Sequence, residues 1–297
     1  MTTLNQLIDE VLMNLAGFGM RHDPVTYITG AITSTSSTAT IADTESIGKG
    51  VIEIDDELIY VSSFDRSTGI INIPPFGRGY AGTTAASHAL NSKVTINPVY
   101  SRNAVKRAIN DTILGVFPDL FGVSSYQFTY NTSVNSYSLP SGLQSVLAVS
   151  YESIGPSKEW RTVRGWRVDP MADASSFNSS NSITLLSYVE PGRTVRVFYT
   201  TEPDIMESGL DDFSSITGLP ESCKDVIVFG AAYRMLSFVD AGRTQYVAPE
   251  ALAQSAGVQF GSANNSAKYV YALFQQRLQE EKRKLMEKFP VRTHFTN

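Results

Sequence analysis

Apolar residues recur at three- and four-residue steps in four stretches of the chain, and segments of shorter, strand-like alternation separate the first three. In "TLNQLIDEVLMNLAGFG" the repeat runs through Leu4, Ile8, Val11, Leu15 and Phe18, with Thr3 and Gln6 matching a capping box and Gly17 and Gly19 supplying a stop. "SRNAVKRAINDTILGVFP" sets Val105, Ile109, Thr112 and Val116 on one face, offers Ser101 as an N-cap and ends against Pro118. A third helix begins near "LPESCKDV", with Pro220 and Glu221 suited to a first turn, and is apolar nearly all round from Val226 to Val239, the pattern of a buried helix. The fourth, over 263–288, aligns Ala267, Tyr271, Phe274, Leu278, Leu285 and Phe289, interrupted where Glu281 and Lys282 stand in the stripe. Glu280 and Lys284 form an i,i+4 pair there, and the cations near the end suit the helix dipole.

Between the first two helices, residues 25–98 read as a β-domain with two hairpins, most clearly in "GVIEIDDELIYVSSFDRSTGIINI", where Ile52 and Ile54 oppose Val51, Glu53 and Asp55 in parity. Residues 125–200 offer "YQFTY", "YSLP", "SVLAVSYE", "WRTVRGWRV", "SITLLSYV" and "RTVRVFYT", with a turn at Glu190–Arg193 and an exposed polar loop from Asp173 to Ser182. Short strands rich in aromatic and β-branched residues at this spacing predict a small sandwich or open barrel. The expected fold class is therefore α+β: a helical bundle core made of 1–24, 99–124 and 201–297, with two inserted antiparallel β-domains at 25–98 and 125–200.

Composition narrows the chemistry. The longest apolar runs fall short of the ~20 residues of a bilayer span, and no basic segment precedes a cleavable apolar one, so a soluble, unexported chain with no membrane partner is expected. The single cysteine, Cys223, excludes an internal disulfide and a cysteine cage for a metal, and is expected as a buried thiol. A net charge of −5 with interspersed signs speaks against a tight grip on nucleic acid.

"FGRGYAGTTAASHALNSKV", residues 76–94, concentrates glycines, hydroxyls and His88. A phosphate loop needs a terminal lysine and hydroxyl before a helix, and that lysine is missing. The GxGxxG spacing of Gly77, Gly79 and Gly82 follows Pro74 and Pro75 rather than opening a βαβ unit. No nucleophile elbow accompanies Ser87 or Cys223, and His22, His88 and His294 lack metal-ligand spacing. The His88 ring is expected to satisfy a buried backbone group, and the acids Asp55 to Glu57 and Asp211 to Asp212 to be solvated on turns rather than paired for hydrolysis. Trp160, Trp166 and Tyr151 could line a carbohydrate site, but aromatic residues in a sandwich more often serve core or interface. No catalytic residue, cofactor or metal is expected.

"VIEIDDELIYVSSFD" followed by "GIINIPPFGRGYAGTTAASHALNSKV" resembles a segment recurrent in structural proteins of tailed bacteriophages, in which ELIYV on an acidic hairpin precedes RGYAGT. In that comparison Arg78, Gly79, Gly82, Thr83 and His88 occupy the recognisable positions, and their implied job is a structural turn. "YSLPSGLQSVLAVSYE", "TLLSYVEPGRTVRVFYTTEP" and "LPESCKDVIVFGAAYRMLSFVDAGR" are similar to segments of phage head-to-tail connectors, the neck adaptors docked beneath a portal. The resemblance implies a structural virion protein, made in the host cytoplasm and placed in the neck. It implies a head-to-tail ring of identical subunits, a dodecamer, that meets the portal above and a neck or tail-terminator protein below, while genomic DNA passes through the lumen without specific binding. The C-terminal helix and tail would be the portal-docking element, with Phe289, Val291 and Phe295 its apolar contacts. Another virion role, in tail completion, on the capsid or in receptor binding, is the alternative; a hydrolase is the more distant one.

Overall fold

A computed structural model describes residues 1–18, 23–153, 159–243 and 262–289. Its helices are α1 (Leu4–Ala16), α2 (Arg102–Gly115), the short α3 (Phe213–Thr217), α4 (Lys224–Arg243) and α5 (Ser262–Lys288). Against these five stand fourteen strands among the described residues, all paired antiparallel in four sheets. The expected helical bundle core is therefore wrong: sheets dominate the chain. The misreading has a physical origin. A helix of thirteen or more residues repeats its period several times, whereas most of these strands span three to five residues and give period-two alternation almost no length in which to register.

Most, though not all, of the marked helical positions are buried: Phe18 and Tyr271, which the repeats included, are exposed. Leu4, Ile8, Val11 and Leu15 of α1 are fully buried or nearly so, as are Val105, Ile109 and Thr112 of α2 and Val116 just past its end. The Ser101 hydroxyl accepts the Ala104 amide at 3.2 Å, so it does cap α2. In α4, Val226, Ile227, Val228, Ala231, Ala232, Met235 and Leu236 are buried. No helix among the described residues is long and apolar enough to cross a membrane.

The chain divides into two compact units, one of Met1–Leu4, Thr112–Ile227 and Phe274–Asn297, the other of Asn5–Asp111 and Val228–Leu273. The second of these holds the first β-region. There β1 (Val25–Tyr27), β7 (Lys93–Ile96), β3 (Gly50–Ile54) and β4 (Glu57–Val61) form one sheet in the order β1-β7-β3-β4, and β2 (Thr38–Thr40), β6 (Ile70–Asn72) and β5 (Ser63–Asp65) form another. The two expected hairpins are β3–β4 and β5–β6. Both sheets feed one core, in which Ile28, Ile41, Ile52, Ile54, Ile59, Ile71 and Ile96 predominate. β-Branched isoleucine suits a pleated surface because its stiff side chain loses little freedom there.

The other unit holds the second β-region. A four-stranded sheet runs β11 (Trp160–Thr162), β10 (Ser145–Glu152), β14 (Thr194–Thr201), β8 (Gly122–Thr129), and a three-stranded one runs β12 (Trp166–Asp169), β13 (Ser182–Leu185), β9 (Ser136–Ser138). Alternation along β14 buries Val195, Val197 and Tyr199, which join Val149, Ile183 and Leu139 in a shared core rimmed by Tyr126, Phe128, Tyr137 and Trp166. Two sheets on one core make a sandwich. "WRTVRGWRV" breaks at Gly165 and contributes one strand to each sheet.

Candidate functional site

The β3–β4 hairpin turns through Asp55 and Asp56, with Asp55 in the left-handed region at φ 54°. Glu57, the first residue of β4, points inward and is 1% exposed. Facing it, residues 77–88 fold into a compact bend rather than a helix N-terminus or a βα turn. Gly79 (φ 61°), Ala81 (φ 54°) and Gly82 (φ 82°) all take left-handed backbone. A Cβ at Gly79 would lie 2.8 Å from the Thr83 carbonyl oxygen, so that position is closed to other residues by both backbone and space. Thr83 closes the bend: its hydroxyl donates to the Tyr80 carbonyl at 2.9 Å and accepts the Leu58 amide at 3.1 Å.

Glu57 is the hub. Its Oε1 accepts from Arg78 Nε at 2.8 Å and the Gly79 amide at 2.9 Å. Oε2 accepts from Arg78 Nη2 at 2.8 Å, the Ala86 amide at 3.0 Å and His88 Nε2 at 2.8 Å. Arg78 spends its remaining N–H groups on the carbonyls of Thr33, Ser36 and Ala86. The other His88 ring nitrogen, Nδ1, meets Asp55 Oδ2 at 2.7 Å, and the His88 backbone exchanges hydrogen bonds with Ile32 at 2.9 and 3.0 Å. Burial pushes the Glu57 carboxyl up, but the Arg78 guanidinium, the Ala86 and Gly79 amides and the His88 ring outweigh it and hold it at about 2. A carboxylate with five donors on its two oxygens has no acceptor capacity left for a substrate proton. The arrangement is a latch that ties the bend to the hairpin.

Beside the latch lies an open cleft of about 470 Å³, lined by Asp55, Asp56, Thr83, Ser87, Asn103 and Lys106 among others. Below the hairpin a second carboxyl is handled differently. Glu53 is buried on β3 and accepts the Arg102 amide at the start of α2 at 2.6 Å. Burial pushes its carboxyl up to about 7, against the lowering pull of that amide and of the Arg102 charge. The Arg102 side chain turns away to Asp9 at 2.5 Å, Asn5 at 3.2 Å and Asp56 at 3.4 Å.

The structure brings together four of the residues singled out in the sequence, Arg78, Gly79, Thr83 and His88, and adds Glu57 and Asp55 as their partners. Gly82 lies in the same bend. Two expectations are corrected. His88 satisfies two carboxylates, not a backbone group, and Glu57 is buried rather than solvated, because the bend supplies it with a full set of donors. Asp211 and Asp212 do serve turns: Asp211 accepts the amides of Glu207 and Ser208 at 2.8 Å each, and Asp212 caps α3 through the Ser215 amide at 3.1 Å. Trp160, Trp166 and Tyr151 do not share a surface. Trp166 and Tyr151 pack on the sandwich core, while Trp160 lies 3.7 Å beneath the Arg196 guanidinium. Phe289 is half-buried just past α5; Val291, Phe295, His22 and His294 lie outside the described residues.

Sequence reasoning placed α5 but missed the partners of Glu281 on it. Glu281, which interrupts its apolar stripe, is 2% exposed and accepts from Ser222 Oγ at 2.7 Å, Lys284 Nζ at 2.6 Å and Arg277 Nη2 at 3.4 Å. Lys284 therefore pairs with Glu281 and not with Glu280, which takes Arg277 Nη1 at 2.5 Å instead. Cys223 is buried as expected, its thiol pushed up to about 12 by burial and by the Glu281 charge. No group of three or more candidate metal ligands occurs among the described residues.

Neither protein-family models nor curated proteins give a match to this chain.

Proposed function

We propose that the chain is a structural virion protein of a tailed bacteriophage, a head-to-tail adaptor that forms a ring beneath the portal and lines the path of the genome. The observation that carries this reading is the latch. On the segment whose residues resemble a bend of phage virion proteins, the Glu57 carboxylate, the Arg78 guanidinium and both His88 ring nitrogens are engaged in holding two strands and a bend in one shape. With each ring nitrogen of His88 already within hydrogen-bond distance of a carboxylate, the ring is held in place by its neighbours, which favours joinery over turnover. The scaffold in this reading is built chiefly of sheets, with the helices attached to them. An acidic net charge of −5 is compatible with a lumen that lets DNA slide.

Imaging of purified particles tests the proposal. Density for this chain as a ring at the neck is expected; virions that lack the polypeptide, or carry it at the tail tip or on the capsid shell, would sink the adaptor role. Deleting residues 290–297 tests the docking element: portal association should weaken at least tenfold, and unchanged association would reject Val291 and Phe295 as contacts, leaving Phe289→Ala to test the third.

A further inference from the structure

The outermost strand of the sandwich, β8, is a long edge strand. It spans eight residues, pairs with β14 in continuous register from Gly122 opposite Thr201 to Thr129 opposite Thr194, and has no second partner strand among the described residues. The phase of its hydrogen bonds is set by Tyr130, whose amide donates to the Arg193 carbonyl at 2.8 Å and whose carbonyl accepts the Gly192 amide at 2.9 Å. Even-numbered residues of β8 therefore turn their amides to β14, and Val123, Ser125, Gln127 and Thr129 turn theirs to the open side. The side chains of Ser125, Gln127 and Thr129 are exposed.

Proteins that keep such an edge unpaired blunt it with a bulge, a proline or a charge, most often lysine. β8 has none of these: its sequence is GVSSYQFT, and no charged residue occurs anywhere between Asp119 and Glu152. On the core side of the same edge sits a half-buried aromatic cluster, with Phe128 stacked on Tyr137 at 4.2 Å between ring centres and Tyr126 and Tyr130 beside them.

We propose that β8 pairs antiparallel with β8 of a second copy of this chain, joining two four-stranded sheets into one of eight strands. Opposed residues in an antiparallel pair must both turn their amides to the seam or both away. The longest two-fold registers then centre on Ser125 or on Tyr126. The Tyr126 register is assigned, because it sets each Tyr126 ring against its copy and Ser124 against Phe128 on the core side, burying the aromatic rim of both molecules. It also sets Ser125 against Gln127 outside, with no like charges opposed. An uncharged edge is complementary to itself, whereas an edge built for a different, charged partner would carry the opposite sign. This contact is two-fold, whereas the contact that closes a ring is head-to-tail, so it does not rest on the virion reading.

Sedimentation of the full chain over a concentration series, with hydrogen exchange on the same samples, is the test. A dimer is expected, with the amides of Val123, Ser125, Gln127 and Thr129 becoming protected as it forms. Gln127→Pro removes one outward amide at an edge position where proline is tolerated, and Ser125→Lys puts a charge on the seam without touching the ladder to β14. Each should weaken association at least tenfold with an unchanged circular dichroism spectrum. A chain that stays monomeric, an assembly in which those four amides exchange freely, or one insensitive to both variants overturns the proposal. A failed dimer leaves neck localisation standing, and a failed localisation leaves the dimer standing.

Discussion

The two β-regions share a plan, two antiparallel sheets around one core, yet their polar chemistry is opposite. The first packs isoleucine against isoleucine and then buries a carboxylate, a guanidinium and an imidazole beside that core, each answering the others. The second has no charge at all from Leu120 to Tyr151, fills the rim of its core with tyrosine, phenylalanine and tryptophan, and keeps Arg196 on the outer face over Trp160. Apolar packing alone tolerates many arrangements of similar volume, whereas a buried ion network is satisfied by few. The first region is thus specified at its bend by hydrogen-bond geometry. The second is specified by alternation and aromatic packing, and leaves an edge open.

Breaking the latch should have the largest effect. Glu57→Ala strands Arg78 and His88 in the interior without their acceptor and should cost about 3–5 kcal/mol in denaturant unfolding. Because the chain has two units, the loss should appear in the transition that reports the first β-region; an equal shift of both transitions would show that the regions are not independently held.

The pH dependence comes next, and it should belong to the first region. Glu57 is held at about 2, below its ordinary 4.5, so the stability it contributes is complete above pH 4.5 and is lost as pH falls from there through 2, by up to about 3 kcal/mol. Glu53 works the other way. Raised to about 7, it binds a proton in the fold that the unfolded chain has released, so stability falls as pH rises from 4.5 through 7, again by up to about 3 kcal/mol. Glu53→Gln should flatten that upper slope and leave the acid limb intact, as measured by urea unfolding at a series of pH values.

A smaller contrast lies in the glycines. Gly79→Ala must hold an L residue at φ 61° with its Cβ against a carbonyl, and should lose about 1–3 kcal/mol. Gly142→Ala in the second region meets nothing within 4 Å and should be neutral or slightly stabilising, by about 0.5 kcal/mol. Thermal melts of the two variants make the comparison. The least effect is expected at Cys223: with its thiol at about 12, it should react with a maleimide at pH 7.5 at less than about a hundredth of the rate of an exposed cysteine, and rapidly once urea unfolds the unit.

Long periodic helices were legible residue by residue, since α1, α2 and α4 bury the positions their spacing marks. The positions of the bend were legible too, because Gly79 and Gly82 advertise backbone that other residues avoid. What the bend binds was not. Glu57 lies 21 residues before Arg78 and 31 before His88, and a carboxylate directly after a hairpin turn looks the same in sequence whether it is solvated or buried. Glu281 was misjudged for the same reason: it looks like a break in an apolar stripe until Ser222, Lys284 and Arg277 are seen around it.

Local pattern, then, determined the helices, the turn residues and the alternation that places Val195, Val197 and Tyr199 inward, because these depend on backbone geometry within a few residues. Tertiary structure alone decided that sheets and not helices dominate, which carboxyls are buried, and that β8 ends its sheet with no second partner strand among the described residues. Those outcomes turn on which distant donors and strands arrive beside a residue, and burial reverses the behaviour of an ionisable group only once its neighbours are in place.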